Sequence, residues 1–246
     1  MLTNLSVDEA LMQARSHAEK GEFAEAQKLY QAVSQTFRKQ AKDAQQGLAS
    51  LNNPKPNYIN QKPPQEVINQ LVGLYNQGQL SAVVEQAQVL TKQYPEAFII
   101  WNILGAAAGQ IGKLDEAIKA YKKALTIKSD SPEIYSNMGV ALQDQGKLDE
   151  AIEAFQKAIS LNPDYTDAYY NMGNTLQDQD RLDDAIKLYK KVLLQNPDHA
   201  IAYNNMGNAL KDQGRLDEAI SAFNKAILVK PDYAITYSNI GVALKA

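Results

Sequence analysis

The chain has 246 residues, 45% of them hydrophobic, which is enough apolar material to bury a core and marks a folded protein rather than a disordered tail. Twenty-five Lys and Arg against 28 Asp and Glu leave a net charge of -3, so no basic surplus exists to neutralise a phosphate backbone or an anionic bilayer, and neither nucleic acid nor membrane is an expected partner. With no cysteine, disulfides, thiolate zinc sites and cysteine nucleophiles are excluded together, in keeping with a reducing, cytoplasmic compartment.

At the N-terminus, Asp8 and Glu9 stand where a signal peptide needs a basic start and an apolar core, so no export signal is expected. The segment from Val7 to about Gln40 reads as a helical hairpin with Ala14, Gly21, Ala26, Tyr30 and Val33 at its characteristic places. A third helix is expected from Lys39 to Leu51, completing an N-terminal region over 1–51. The stretch NNPKPNYINQKPP, in which Pro54, Pro56, Pro63 and Pro64 crowd together, reads as a flexible linker over 52–63.

From Pro64 onward the chain repeats itself every 34 residues. Gly78, Gly112, Gly146 and Gly214 form one comb, with Asp180 on the remaining tooth; Ala117, Ala151, Ala185 and Ala219 form a second, and Pro95, Pro163, Pro197 and Pro231 a third. The units run 64–97, 98–131, 132–165, 166–199 and 200–233, followed by a half unit, 234–246. Gly21 and Gly78 are 57 apart, which is not a multiple of 34, so the register breaks across the linker.

Each unit reads as two helices. YSNMGVALQDQG has apolar or small residues at helical spacing and ends in Gly146, which suits a left-handed helix terminus. DEAIEAFQKAISLN opens with Asp149 and Glu150 at the positive end of the next helix and stops at Pro163. Gly105, Gly139, Gly173 and Gly207, with the alanine comb, fall where the helices approach; Tyr135, Met138, Leu142 and Phe155 would fill the space beside Gly139 and Ala151. In the unit 64–97, Leu71 and Val83 occupy the two small-residue places, so altered packing is expected there. One hairpin cannot bury both faces, so the units must stack.

Trp101, Leu104, Gly105, Ala117, Tyr121 and Ala124, and again Tyr169, Met172, Gly173, Ala185, Tyr189 and Pro197, resemble the tetratricopeptide repeat pattern. Ser129, Asp180 and Val192 depart from it in place of the usual proline, glycine and alanine. The resemblance implies an all-α fold, a right-handed superhelical α-solenoid of stacked antiparallel helix pairs with the first helices lining the concave side. It also implies a protein-interaction scaffold rather than an enzyme.

The acid pairs Asp115 and Glu116, Asp149 and Glu150, Asp183 and Asp184, and Asp217 and Glu218 sit in the first turn of a helix, where negative charge is favoured and adjacent residues do not face one another; catalysis is not expected from them. Lys119, Lys122 and Lys123, like Lys187, Lys190 and Lys191, read as a solvated face. His17 and His199 lack ligand-spaced partners, so neither a metal nor a cofactor is expected.

Asn137, Asn171, Asn205 and Asn239 recur one repeat apart, and Asn174 and Asn208 lie three residues beyond two of them. On the concave side they would form an amide row beside Asp144, Asp178 and Asp212. Two readings stand: the amides match the C=O and N–H of an extended peptide, or they tie adjacent hairpins together. A clamp for terminal carboxylates, familiar in the family, is not expected, because Glu133, Asp167, Ile201 and Ile235 hold one of its basic places. The row is similar to the superhelical region of O-linked N-acetylglucosamine transferases. Tyr237, Ile240 and Leu244 lack a following helix to cover them, which suggests self-association, or a substrate-recruiting arm of a glycosyltransferase, sulfotransferase or methyltransferase continuing past residue 246. An RNA-reading repeat is disfavoured by the acidic groove.

Overall fold

The computed structural model describes residues 6–36 and 62–245, and these fall into two compact units, one for each stretch. The helix expected at 39–51 and most of the linker, 52–61, lie outside the described residues. Every regular element among the described residues is an α-helix.

In the first unit, α1 (Val7–Glu19) and α2 (Phe23–Thr36) form a hairpin turned by Gly21 at φ 78°. Its start is fixed by a reciprocal cap: the Glu9 backbone N–H donates to Ser6 Oγ at 3.2 Å, and the Ser6 N–H donates to the Glu9 carboxylate at 2.8 Å. Ala14, Ala26, Tyr30 and Val33, at places the sequence assigns to a repeat-like hairpin, are buried between the helices together with Ala10 and Leu11. His17 Nδ1 lies 2.5 Å from Glu22 Oε2, a local pairing at the turn.

The second unit contains α3 (Gln65–Asn76), α4 (Leu80–Gln93), α5 (Phe98–Gln110), α6 (Leu114–Ile127), α7 (Pro132–Asp144) and α8 (Leu148–Leu161). It continues with α9 (Thr166–Asp178), α10 (Leu182–Gln195), α11 (Ala200–Asp212), α12 (Leu216–Val229) and α13 (Ala234–Ala243). Each helix packs on the next, making an all-α solenoid. The first helices of successive hairpins also meet directly, α3 on α5, α5 on α7, and so on to α13. This closer approach sets them on the inner side of the curve.

Within a hairpin the packing is a ring laid over a glycine. Phe155 is fully buried, and a Cβ added to Gly139 would lie 2.6 Å from its Cε1; Tyr121 stands over Gly105, and Tyr189 over Gly173, in the same way. Burying such a ring stabilises the fold by roughly 1.5–3 kcal/mol. The hairpin 64–97 reverses the arrangement: the bulky residue, Leu71, comes from the first helix and the small one, Ala87, from the second, and both are fully buried together with Val83. The altered packing expected there is an exchange of knob and hole.

Turns are closed by left-handed residues, Gly112 at φ 77°, Gly146 at 78° and Gly214 at 75°, with Asp180 forced to 59° at the equivalent place. Neighbouring turns are joined by a repeated bond: Gln145 Nε2 donates to Asp115 Oδ1 at 2.6 Å, Gln179 to Asp149 at 2.7 Å, and Gln213 to Asp183 at 3.0 Å. The first acid of these three pairs therefore has a structural partner in the following repeat. At α13, Thr236 and Ala243 are buried, while Tyr237, Val242 and Leu244 are exposed. No helix among the described residues is long and apolar enough to cross a membrane.

Candidate functional site

The inner face is built by the residues that the first helices turn away from their own second helices. The asparagines of the ladder all lie on first helices, and they divide into two groups by what they bond. Asn174 Oδ1 accepts from the Tyr189 hydroxyl at 2.8 Å and from Asn205 Nδ2 at 3.0 Å, and Asn205 Nδ2 also donates to the Tyr170 hydroxyl at 3.1 Å. Asn239 Nδ2 donates to Asn204 Oδ1 at 3.0 Å. These three amides reach between consecutive repeats.

Asn137 is exposed, Asn171 and Asn208 are half-buried, and among the described residues no hydrogen bond holds the side chain of any of the three. Asn171 contributes only its backbone carbonyl, which accepts from the Thr175 hydroxyl at 2.9 Å. The ladder thus contains tied amides that hold the face rigid and free amides that leave donors and acceptors toward solvent.

The acids differ in the same manner. Asp178 Oδ2 accepts from Gln143 Nε2 at 2.7 Å, and Asp212 lies 3.3 Å from the Lys211 ammonium. Asp144 is exposed and has neither an ion pair nor a hydrogen bond among the described residues.

Two features escape a reading of the sequence alone. Asn204, 3% exposed, is the hub between α11 and α13: its Oδ1 accepts from the Thr236 hydroxyl at 3.1 Å as well as from Asn239. For its counterpart Asn102 the residue equivalent to Thr236 is Ile134, which has no polar group to offer, and the buried Asn102 Oδ1 has no partner. A polar pair 32 residues apart, Asn204 with Thr236, is the signal that could have revealed the hub.

The second feature is a cleft of about 250 Å³ at the α3–α5–α7 end of the face, bounded by Tyr75, Ala106, Gly109, Tyr121, Asn137 and Asp144. Ala106 and Gly109 stand where the repeat two units on has Asn174 and Gln177, and those two side chains are the ones that bond the Tyr189 hydroxyl, at 2.8 and 3.0 Å. Tyr121, the counterpart of Tyr189, is 4% exposed and its hydroxyl has no hydrogen-bond partner among the described residues. Burial, and then the neighbouring Tyr75 phenol, holds its pKa well above the usual tyrosine value. Tyr75 in turn accepts from Gln110 Nε2.

On the second-helix side, Lys187 pairs with Asp184 at 3.1 Å, and the Lys191 ammonium lies 5.9 Å from the centre of the Tyr169 ring. These lysines have local structural partners.

Family models described as Tetratricopeptide repeat match residues 142–206 and 200–233, and one described as TPR repeat matches 110–146. Among solved structures, MamA is 30% identical with a TM-score of 0.62, the alignment covering 66% of this chain and 95% of that one. YrrB, described as a TPR protein with an unusual peptide-binding site, is 23% identical with a TM-score of 0.60, covering 70% and 89%. TTC0263, a thermophilic TPR protein in Thermus thermophilus, is 21% identical with a TM-score of 0.57, covering 74% and 99%. The last two are likenesses of fold. A search of curated proteins finds no match.

Proposed function

Because this chain belongs to the tetratricopeptide repeat family, we propose that it is a protein-interaction scaffold, without a catalytic step of its own, that holds an extended segment of a partner along the inner face of its array. The observation that carries this reading is the set of unbonded amides at Asn137, Asn171 and Asn208, on successive repeats and beside amides already fixed by cross-repeat bonds. A fixed row of groups that each donate and accept suits a peptide main chain, whose C=O and N–H recur along its length. Such a surface reads little of the partner's side chains and gains affinity by number, at roughly 0.5–1.5 kcal/mol per net hydrogen bond. A peptide-binding site in YrrB, a protein of the same fold, is in keeping with this. The surface would serve equally a free-standing scaffold and the substrate-recruiting arm of a larger transferase.

The test uses a peptide selected on the full chain from a random library and measured by fluorescence anisotropy. Replacing Asn137, Asn171 and Asn208 together by Ala is expected to weaken binding at least about tenfold, while the thermal midpoint stays within about a degree. Unchanged affinity in that variant rejects the groove reading.

A further inference from the structure

We infer that the cleft between Tyr75, Ala106, Gly109, Tyr121, Asn137 and Asp144 is a pocket for a basic side chain, lysine or arginine, of the peptide held along the groove; this rests on the groove reading above. Ala106 and Gly109 carry almost no side chain, so the floor of the pocket is apolar and open where the repeat two units on is filled by Asn174 and Gln177. That floor accommodates the methylene stem of a long side chain. A volume of about 250 Å³ admits one such side chain and is too small for a folded element.

Three oxygens at the pocket, those of the Asp144 carboxylate, the Tyr121 phenol and the Asn137 amide, receive no hydrogen bond from the protein among the described residues. Asp144 brings its only formal charge and has no cation beside it, in contrast to Asp212, which faces Lys211 at 3.3 Å. Tyr121 is a buried residue that lines the cleft and whose hydroxyl has no partner among the described residues, and Asn137 Oδ1 is free. An ammonium has three donors and no acceptor, and a guanidinium five, so either satisfies the carboxylate, the phenol oxygen and the amide oxygen together. An acidic side chain would oppose Asp144. An apolar one would cover Tyr121 and Asp144 without replacing the water they bond, and a covered, unpaired polar group is costly. Of the possible occupants, a cation is the one that both pairs with the Asp144 charge and donates to the unengaged oxygens beside it.

The experiment titrates the full chain, with ¹³C-labelled tyrosine and ¹⁵N-labelled asparagine, with blocked Gly/Ser/Ala nonapeptides whose central residue is lysine, arginine, norleucine or glutamate. Lysine and arginine peptides are expected to shift the Tyr121 ring and the Asn137 amide, and norleucine and glutamate peptides to leave both in place. Asp144→Asn should weaken the lysine peptide about tenfold, whereas Asp178→Asn, at a carboxylate already bonded, should not. The double variant Ala106→Asn with Gly109→Gln transplants the groups that bond the equivalent phenol and should close the pocket. A Cβ at Gly109 meets only Ala117 Cβ at 3.7 Å, an ordinary contact, so this variant is expected to fold.

Equal affinity for the norleucine peptide, or an Asp144→Asn variant that binds lysine as well as the parent, overturns the inference. If all four peptides shift the Asn171 and Asn208 amides alike and none distinguishes Tyr121, the pocket falls and the groove stands. If no peptide shifts any of these amides or the Tyr121 ring, both fall.

Discussion

The Phe223 ring occupies the space that a side chain at residue 207 would need: a Cβ on Gly207 would lie 2.5 Å from Phe223 Cε1. Both residues are buried, Phe223 completely, so the ring has little room to withdraw. Gly207→Ala should therefore destabilise the array by about 1–3 kcal/mol through overpacking. Gly73, also inside a helix, has no heavy atom within 4 Å of where its Cβ would be. Gly73→Ala should stabilise by up to about 1 kcal/mol through helix propensity. Urea denaturation followed by circular dichroism checks the opposite signs of the two.

Asp180 sits at φ 59° in a turn where the equivalent residues are glycine. A left-handed conformation costs an L-residue roughly 1–2 kcal/mol, partly offset by the greater freedom glycine loses on folding. Asp180→Gly is expected to raise stability by about 0.5–1 kcal/mol, read as a higher urea midpoint. A lower midpoint would mean that the aspartate side chain contributes more to this turn than the backbone relief.

Asn204 holds two donors of α13, Thr236 and Asn239, on one buried oxygen. Asn204→Ala leaves both without an acceptor, at a cost of about 1–3 kcal/mol. The loss should be local. Amide hydrogen exchange in α13 is expected to speed up by roughly 5- to 150-fold, with little change in α5 to α8.

The alkaline limit is set by buried phenols. Burial, and secondarily the phenols of Tyr75 and Tyr170, raises the pKa values of Tyr121 and Tyr189 above the ordinary 10.0. A folded-state pKa above the unfolded value favours the fold fully below pH 10 and loses that contribution as pH rises through the folded value. Absorbance at 295 nm should show these two of the 13 tyrosines ionising only together with the loss of helical circular dichroism. Full tyrosinate formation in a still-helical protein would contradict this.

The hairpins and their register were legible because the 34-residue period repeats the packing itself: Gly139 under Phe155 and Gly173 under Tyr189 are one contact written twice. The exchanged knob and hole of Leu71 and Ala87 was half visible, since the large residue was out of place but its small partner lay 16 positions away in another helix. The division of the asparagines was not legible. Whether an amide is tied or free depends on what the neighbouring repeat presents, as Tyr170 does to Asn205. Nor was the cleft, because it arises from an absence, the missing side chains of Ala106 and Gly109 above a tyrosine whose hydroxyl they would otherwise have engaged.

The bonds from Gln145 to Asp115, Gln179 to Asp149 and Gln213 to Asp183 use the same two residue types at the same places, each spanning 30 positions. Excising residues 132–165 as a cassette would bring Gln179 to that spacing from Asp115, an acceptor identical to the one it had. Gene slippage by a whole period therefore leaves the joints between turns intact. A lineage can lengthen or shorten this protein, and with it the reach of its inner face, without inventing a new joint.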